Sequence, residues 1–450
     1  DMEDQQHLSK KQKLSEEDEI EKGVAFLRSL PAIRERCAVI YEAAKADSSK
    51  HFVVDLRKLD TVVDYVKETM DINYPGNAAD IPFHSRFRHF EAGNLDRVEQ
   101  LKEEWGESCD AAEKTRRLLD LVVVSVLLDA GAGDSWKYTE ESNNNAIFNR
   151  SEGLGVASFH MFCSGAFSSD SATPHRVDSE ALKALATSTV ATAFQVNEET
   201  NPLVGCDGRS ELLQRLGTAI ESRPDFFCKD GIFRPGNMYD YLQSKVTDGK
   251  VSTHDLWEVV MYGFEKLWPE GRLNIGGNNM GDVWPHSALS KSTEANGSDE
   301  EKKEDNPLNQ LAGLVPFHKL SQWMTYSLME PLQTSGLSIT DMHFMTGLPE
   351  YRNGGLLVDL GILVPKYDTI LTESHLPDSE VIVEWRALTV CLLDEVATSL
   401  RTKLGVSAEE FPLVKILEGG TWKAGRRIAK QLRPSTCGPP IVITSDGTVF

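Results

Sequence analysis

The stretch Thr115 to Leu128, TRRLLDLVVVSVLL, is almost continuously apolar. Nine of its fourteen residues are apolar and need burial on nearly every side, so this segment predicts a central core helix, although periodicity alone does not separate it from a buried strand. Helical spacing recurs over Ile33–Ala46, Leu56–Met70, Ser179–Phe194, Ser210–Arg223, Thr253–Leu267, Leu320–Leu332, Ser379–Leu404 and Trp422–Leu432. In the Ser379 segment, Val381, Trp385, Leu388, Leu392, Val396 and Leu400 fall three or four residues apart and make one apolar stripe, a core face and not a cofactor box. Strand signals are few, the clearest being Gly438–Thr444 with an Asp446-Gly447 turn. The expected fold is mainly α, a compact multi-helix globular unit with few short strands.

Polar low-complexity stretches bound this unit. Residues 1–22 read as a flexible tail, and Lys291–Asn306, KSTEANGSDEEKKEDN, as a disordered insertion, because neither buries enough apolar surface to offset ordering entropy. Site-like residues lie on both sides of the insertion, so residues 23–450 are read as a single helical unit, with subregions of about 23–175 and 176–450. No internal repeat is visible.

A formal charge of −22 over 450 residues opposes a nucleic-acid backbone or an anionic membrane as partner, since both need clustered Lys and Arg. It leaves room for one phosphate in a local basic pocket. Cys37, Cys109, Cys163, Cys206, Cys228, Cys391 and Cys437 include no CxxC pair and point to free thiols in a reducing compartment. With no apolar leader and no run of eighteen apolar residues, a soluble cytoplasmic protein is expected; the sequons at Asn149 and Asn296 are then chance occurrences.

Five stretches place polar and aromatic residues where a plain core needs none. GLPEYRNGG sets Glu350, Tyr351 and Arg352 among glycines and a proline, which reads as a tight loop holding a carboxylate, a phenol and a guanidinium together. The plainer reading is a salt bridge at a helix start. IPFHSRFRHF carries His84 and Arg86 between phenylalanines, suiting an anion or a ring, or else snorkelling on a surface. LLDAGAGDSW follows the apolar run with Asp129, Asp134 and Trp136; GDVWPHS holds Asp282 and Trp284; VPFHK puts His318 and Lys319 at a helix start, where backbone N–H groups favour anions. A solvated lysine is the ordinary alternative there. P-loop, dinucleotide-binding, zinc-protease and nucleophile-elbow motifs are all missing, no Asp-Asp pair occurs, and no spacing predicts a metal site.

The series SVLLDAGAG with Trp136, RSEGLGVASF, NPLVGCDGR, GDVW, PFHKLSQWMTYSL and GLPEYRNGGLLVDLG resembles the family called uracil catabolism protein 4, also described as a domain of unknown function. The likeness runs from about residue 23 to the C-terminus. It implies a part in a reductase-independent breakdown of uracil through a ribosylurea-type intermediate that yields urea. From Pro316 onward the chain is also similar to the queuosine salvage proteins, helical nucleotide N-glycosidases. Their pattern falls on Phe317-His318-Lys319, Leu348-Pro349-Glu350-Tyr351-Arg352, Gly361-Ile362-Leu363 and Glu384-Trp385-Arg386. That resemblance implies their architecture and places their catalytic carboxylate on Glu350, as Glu where the pattern has Asp. Asn353-Gly354-Gly355 replaces their Val-Pro-Gln, which implies a different base or leaving group.

Together these readings lead to a small-molecule phosphorylated riboside as partner and to hydrolysis of its N-ribosidic bond. Ribosylurea 5'-phosphate would give urea and ribose 5-phosphate, with no cofactor and no metal. Glu350 would be the catalytic carboxylate, with Asp129, Asp134 or Asp282 orienting a hydroxyl or protonating urea. His318, Lys319 and Arg352, with His84 or Arg86, would hold the phosphate; Tyr351 and Trp136 would pack on the ribose or leaving group, and Asp134 and Trp284 complete the expected site. A uracil phosphoribosyltransferase and a noncatalytic nucleotide-binding scaffold are the alternative functions.

Overall fold

In the computed structural model, which describes residues 16–129, 131–133, 135–290 and 307–444, the apolar run is the helix Ala111–Leu127, buried from Leu118 to Leu127. It begins earlier than the apolar signal because Asp110 caps it, its carboxylate accepting from the Glu113 N–H. Asp120, midway along this helix, is fully buried. It accepts from Arg234 at 2.7 Å, from the Gly236 N–H at 2.7 Å and from the Val177 N–H at 3.1 Å. A carboxyl so deep is tolerated because both of its oxygens meet donors, Oδ2 from Arg234 and Val177 and Oδ1 from Gly236.

The helices Leu30–Lys45, Leu59–Asn73, Cys206–Glu221, Thr253–Gly263, Lys319–Thr334, Glu380–Leu404 and Trp422–Leu432 follow the sequence periodicity. The expected Ser179–Phe194 helix is two, Ser179–Lys183 and Thr187–Ala193, with Ala186 extended between them. Thr187 bonds Ser210 at 2.7 Å across this break; threonine hydroxyls compete with helix formation in this way. Strands occur only in two-stranded pairs, among them the hairpin of Lys137–Glu140 with Ala146–Asn149. Of the expected C-terminal strand only Val442–Ile443 forms, parallel to Ser374–His375; the Asp446-Gly447 turn, the first 15 residues and the 291–306 insertion lie outside the described residues.

Contacts divide the chain into two units, both discontinuous in sequence. One takes Asp1–Pro82, Trp268–Lys319 and His343–Val449, the other Phe83–Leu267 and Leu320–Met342. Sequence-distant segments share a core because burial follows helix faces rather than chain order. In the first unit the helix Glu380–Leu404 is buried on nearly all sides from Val381 to Val390. It packs against Leu30–Lys45, Leu59–Asn73 and Tyr351–Asp359. In the second, Ala111–Leu127 packs against Arg150–Cys163, Cys206–Glu221 and the Pro235–Asn237 turn.

The GLPEYRNGG stretch differs from its sequence reading. It is a loop only up to Glu350; Tyr351–Asp359 is helical, and Gly354 and Gly355 are helix-interior residues. Their missing side chains admit Trp385, whose indole N–H donates to the Gly354 carbonyl at 3.1 Å, and Pro440. The glycines serve close helix packing, not a turn. The helix Trp422–Leu432 approaches from another side, where a Cβ on Gly425 would overlap the Arg352 carbonyl.

Gly425→Ala is therefore expected to destabilise by about 2 kcal/mol or more through overpacking, read as a lower urea midpoint. Gly208→Ala, in a helix and with open space around the added methyl, should instead stabilise by about 0.5 kcal/mol.

Candidate functional site

Glu350 ends the loop and caps the helix that follows. Its backbone is extended (φ −122°, ψ 170°), and its carboxylate curls back so that Oε2 accepts from the Arg352 N–H at 2.8 Å and Oε1 from the Asn353 N–H at 2.6 Å. The plain reading of a salt bridge at a helix start thus becomes a cap, on which the Lys319 ammonium acts as the strongest charge and Arg352 as the next. Burial is the dominant influence and pushes the carboxyl above the usual glutamate range, against the opposing pull of the two N–H bonds, Lys319 and Arg352. Asn353, which sequence reasoning passed over, donates its side-chain amide to the Leu348 carbonyl at 3.0 Å. Its Oδ1 is buried with no hydrogen-bond partner among the described residues. Tyr351 lies against the Arg352 guanidinium, 5.1 Å from the ring centre, and Arg352 donates to the Cys437 carbonyl at 2.8 Å.

What holds this loop is a fully buried ion pair. Arg386 grips Asp282 through both carboxylate oxygens, at 2.7 and 2.8 Å, and its Nε donates to the Pro349 carbonyl, one residue before Glu350, at 3.2 Å. Asp282 also accepts from the Trp284 indole at 2.6 Å and from the Lys319 backbone N–H at 2.9 Å. Burial alone would raise the Asp282 pKa; Arg386 and these donors overrule it and hold the carboxyl at about 2. The guanidinium stacks over Phe317 at 4.2 Å. Asp282 is accordingly an ionised anchor that ties Glu350's loop to the start of the Lys319–Thr334 helix. His318, at φ +48°, is buried and in hydrogen-bond contact through Nε2 with the Leu27 carbonyl at 2.8 Å. Burial lowers its pKa, which favours the neutral ring over a fixed phosphate-binding charge.

Within the second unit the structure gathers a different set. Arg86 is completely buried. Its Nε donates to Ser125 at 2.7 Å, and its Nη1 meets His89 Nδ1 at 2.9 Å and Asp129 Oδ2 at 2.9 Å. Ser125 bonds Ser158 at 2.7 Å. His84 is buried with its ring 4.9 Å from that of Trp323. Arg209 lies near enough to Asp129 and Arg86 for their charges to act on it, while burial brings its pKa down to about 10. Trp136 is a core side chain: fully buried, it donates to the Phe194 carbonyl at 2.9 Å and packs on Gly153. Asp134 lies outside the described residues.

Sequence spacing also missed the buried pair Arg97–Glu140, with His160 on the same carboxylate at 2.6 Å, and the Glu384–His286 contact at 3.5 Å. Arg97 and Glu140 are 43 residues apart and His286 and Glu384 are 98 apart, so no local motif announces them. All seven cysteines are free, no group of His, Cys, Asp and Glu among the described residues forms a metal site, and no described helix is long and apolar enough to cross a membrane.

A mainly α chain of small paired strands, with a capping carboxylate buried beside an Asp–Arg anchor, defines the class. Residues 26–450 match the family described as a protein of unknown function, DUF1688, and the chain belongs to it. It is 39% identical to uracil catabolism protein 4 of Lachancea kluyveri over 96% of this chain and all of that protein. It is 40% identical to protein urg3 of Schizosaccharomyces pombe over 95% of this chain and 99% of that protein.

Arg386→Met leaves the Asp282 carboxylate buried without its counter-charge and should cost about 3–5 kcal/mol, measured by chemical denaturation at neutral pH. Because the folded Asp282 pKa is depressed to about 2, its stabilising contribution is present above the unfolded value near 4 and lost as pH falls from there toward 2. The Arg386→Met deficit should therefore shrink between pH 5 and about pH 2.5.

Proposed function

We propose that this protein acts in uracil catabolism, the process that names its relative in Lachancea kluyveri. Its reaction in this reading is hydrolysis of the N-ribosidic bond of ribosylurea 5'-phosphate to urea and ribose 5-phosphate. The observation that carries the reading is Glu350, a buried carboxylate fixed by two backbone N–H groups and subject to the Lys319 charge. Each oxygen accepts one bond and keeps a lone pair. Cleavage of a C–N bond at an anomeric carbon passes through an oxocarbenium-like state, and a carboxylate held in low dielectric stabilises that charge and takes a proton from the attacking water. The resemblance of Leu348–Arg352 to the N-glycosidase pattern supports the same assignment.

The other roles follow the geometry. Asn353 Oδ1, buried and unmatched beside Glu350, is an acceptor suited to a ribose hydroxyl. Phosphate binding is assigned to Lys319 with Arg352, since burial disfavours charge on His318. Tyr351, beside Arg352, packs on the sugar. Asp282 and Arg386 position the loop and exchange no proton, as the depressed Asp282 pKa keeps that carboxyl ionised.

Glu350→Gln retains a capping oxygen but replaces the second acceptor with a donor. The expected cost in stability is about 1 kcal/mol. Urea release from ribosylurea 5'-phosphate should fall by at least about a thousandfold, as for loss of a charge-stabilising and proton-accepting group. Full retention of urea release by this variant would instead make Glu350 a cap only. With the unsubstituted chain, the acid limb of kcat/KM should lie above the ordinary glutamate value of about 4.3, since burial raises the Glu350 pKa and the ionised form is the active one.

A further inference from the structure

The Arg86–Asp129 pair is built in an incomplete way. An arginine and a carboxylate can form two parallel bonds, and Arg386–Asp282 does so. Arg86 and Asp129 share only one contact, Nη1 to Oδ2 at 2.9 Å. Nε is taken by Ser125 and Nη1 also by His89. Arg86 Nη2 and Asp129 Oδ1 are both buried, and neither has a hydrogen-bond partner among the described residues. Leaving buried donors and an acceptor of charged groups unmatched is costly unless something supplies the complement.

The two unmatched atoms are of opposite kind, a donor and an acceptor, and belong to groups already in contact through Nη1 and Oδ2. A phosphate would satisfy Nη2 but set its own negative oxygen against Oδ1. A planar group with a carbonyl next to an N–H satisfies both. Arg209 adds a buried positive charge whose field reaches Asp129 and Arg86, which favours a carbonyl oxygen bearing partial negative charge. Its own N–H groups go to the Leu128, Val204 and Gly131 carbonyls. His89, in contact with Arg86, has its ring 6.1 Å from Trp323, an apolar aromatic surface of the kind that accompanies flat ligands.

We propose that Arg86 and Asp129 form a recognition site for the N–H/C=O edge of a ureido or imide group, Arg86 Nη2 donating to the carbonyl oxygen and Asp129 Oδ1 accepting from the N–H. This assigns Arg86 to the nitrogenous part of a ligand and away from phosphate. Ribosylurea 5'-phosphate as one probe rests on the hydrolase reading; the pairing itself does not.

The test is calorimetric titration of the full-length Glu350→Gln chain, which removes turnover, with uridine, 3-methyluridine, ribosylurea 5'-phosphate and ribose 5-phosphate. Uridine should bind at least about tenfold more tightly than 3-methyluridine, whose methyl group replaces the N–H, and ribosylurea 5'-phosphate more tightly than ribose 5-phosphate. Such factors match the loss of a hydrogen bond to a charged group. Adding Asp129→Asn should erase the difference between uridine and 3-methyluridine. Equal binding of uridine and 3-methyluridine together with equal binding of the two phosphates overturns the proposal, as does no binding of uridine or ribosylurea 5'-phosphate. Asp129→Asn weakening every ligand alike also overturns it, giving the pair a structural role satisfied by water. The methylation comparison needs no substitution at the pair, so it decides the matter even if Asp129→Asn fails to fold. Discrimination by uridine without any urea release from the unsubstituted chain would defeat the hydrolase reading and leave this site standing.

Discussion

The Arg386–Asp282 pair is the constraint on which the first unit's site depends. One guanidinium, emerging from the long buried helix Glu380–Leu404, binds the carboxylate of the GDVW segment and the carbonyl preceding Glu350. The same carboxylate receives the first backbone N–H of the Lys319–Thr334 helix. Four segments distant in sequence are thereby registered by two side chains. A buried pair of this kind adds little net stability over an apolar substitute. Its use is directional: the forked geometry fixes where each segment lies, and so where the Glu350 carboxylate begins its return to the helix start.

In the proposed reading Glu350 joins a structural and a chemical role in one group, and the structural one is its cap of the Tyr351–Asp359 helix. A carboxylate at a helix N-terminus is held by N–H donors and the helix dipole, which keeps it oriented without a dedicated partner side chain. Burial pulls in the other direction and raises its pKa. The balance leaves an acid whose ionisation is sensitive to what enters beside it, which suits the role assigned to it in the proposed hydrolysis. Its neighbours differ in kind from the second unit's cluster, where Arg86, Asp129 and Arg209 concentrate charge in a buried setting around serine hydroxyls and imidazoles.

The helices were legible where period and length agreed. Glu380–Leu404 and Trp422–Leu432 could be drawn to within a residue, because an apolar stripe at helical spacing has one way to be buried. Ser179–Phe194 departs from its helical apolar spacing: Ala186 is extended, and Thr187 bonds Ser210 beside that break. The glycines of GLPEYRNGG were misread for a related reason. Glycine marks both turns and close helix contacts, and only the presence of Trp385 and Pro440 against Gly354 and Gly355 distinguishes them.

The sequence by itself determined the class of fold, the location of most of its main helices and the family, since these depend on local periodicity and on long runs of matching residues. It also singled out Glu350, Asp282, Arg86 and Asp129 as residues out of place in a plain core. Which of them meet was decided only by tertiary structure. Asp282 is joined to Arg386 across 104 residues, Arg86 to Asp129, and Trp136 to the core at Phe194. Burial and partnership set the charge state of each group, and neither is a property of neighbours along the chain. For that reason His318 looks like a phosphate ligand in sequence and sits, in the fold, in an interior that disfavours its charge.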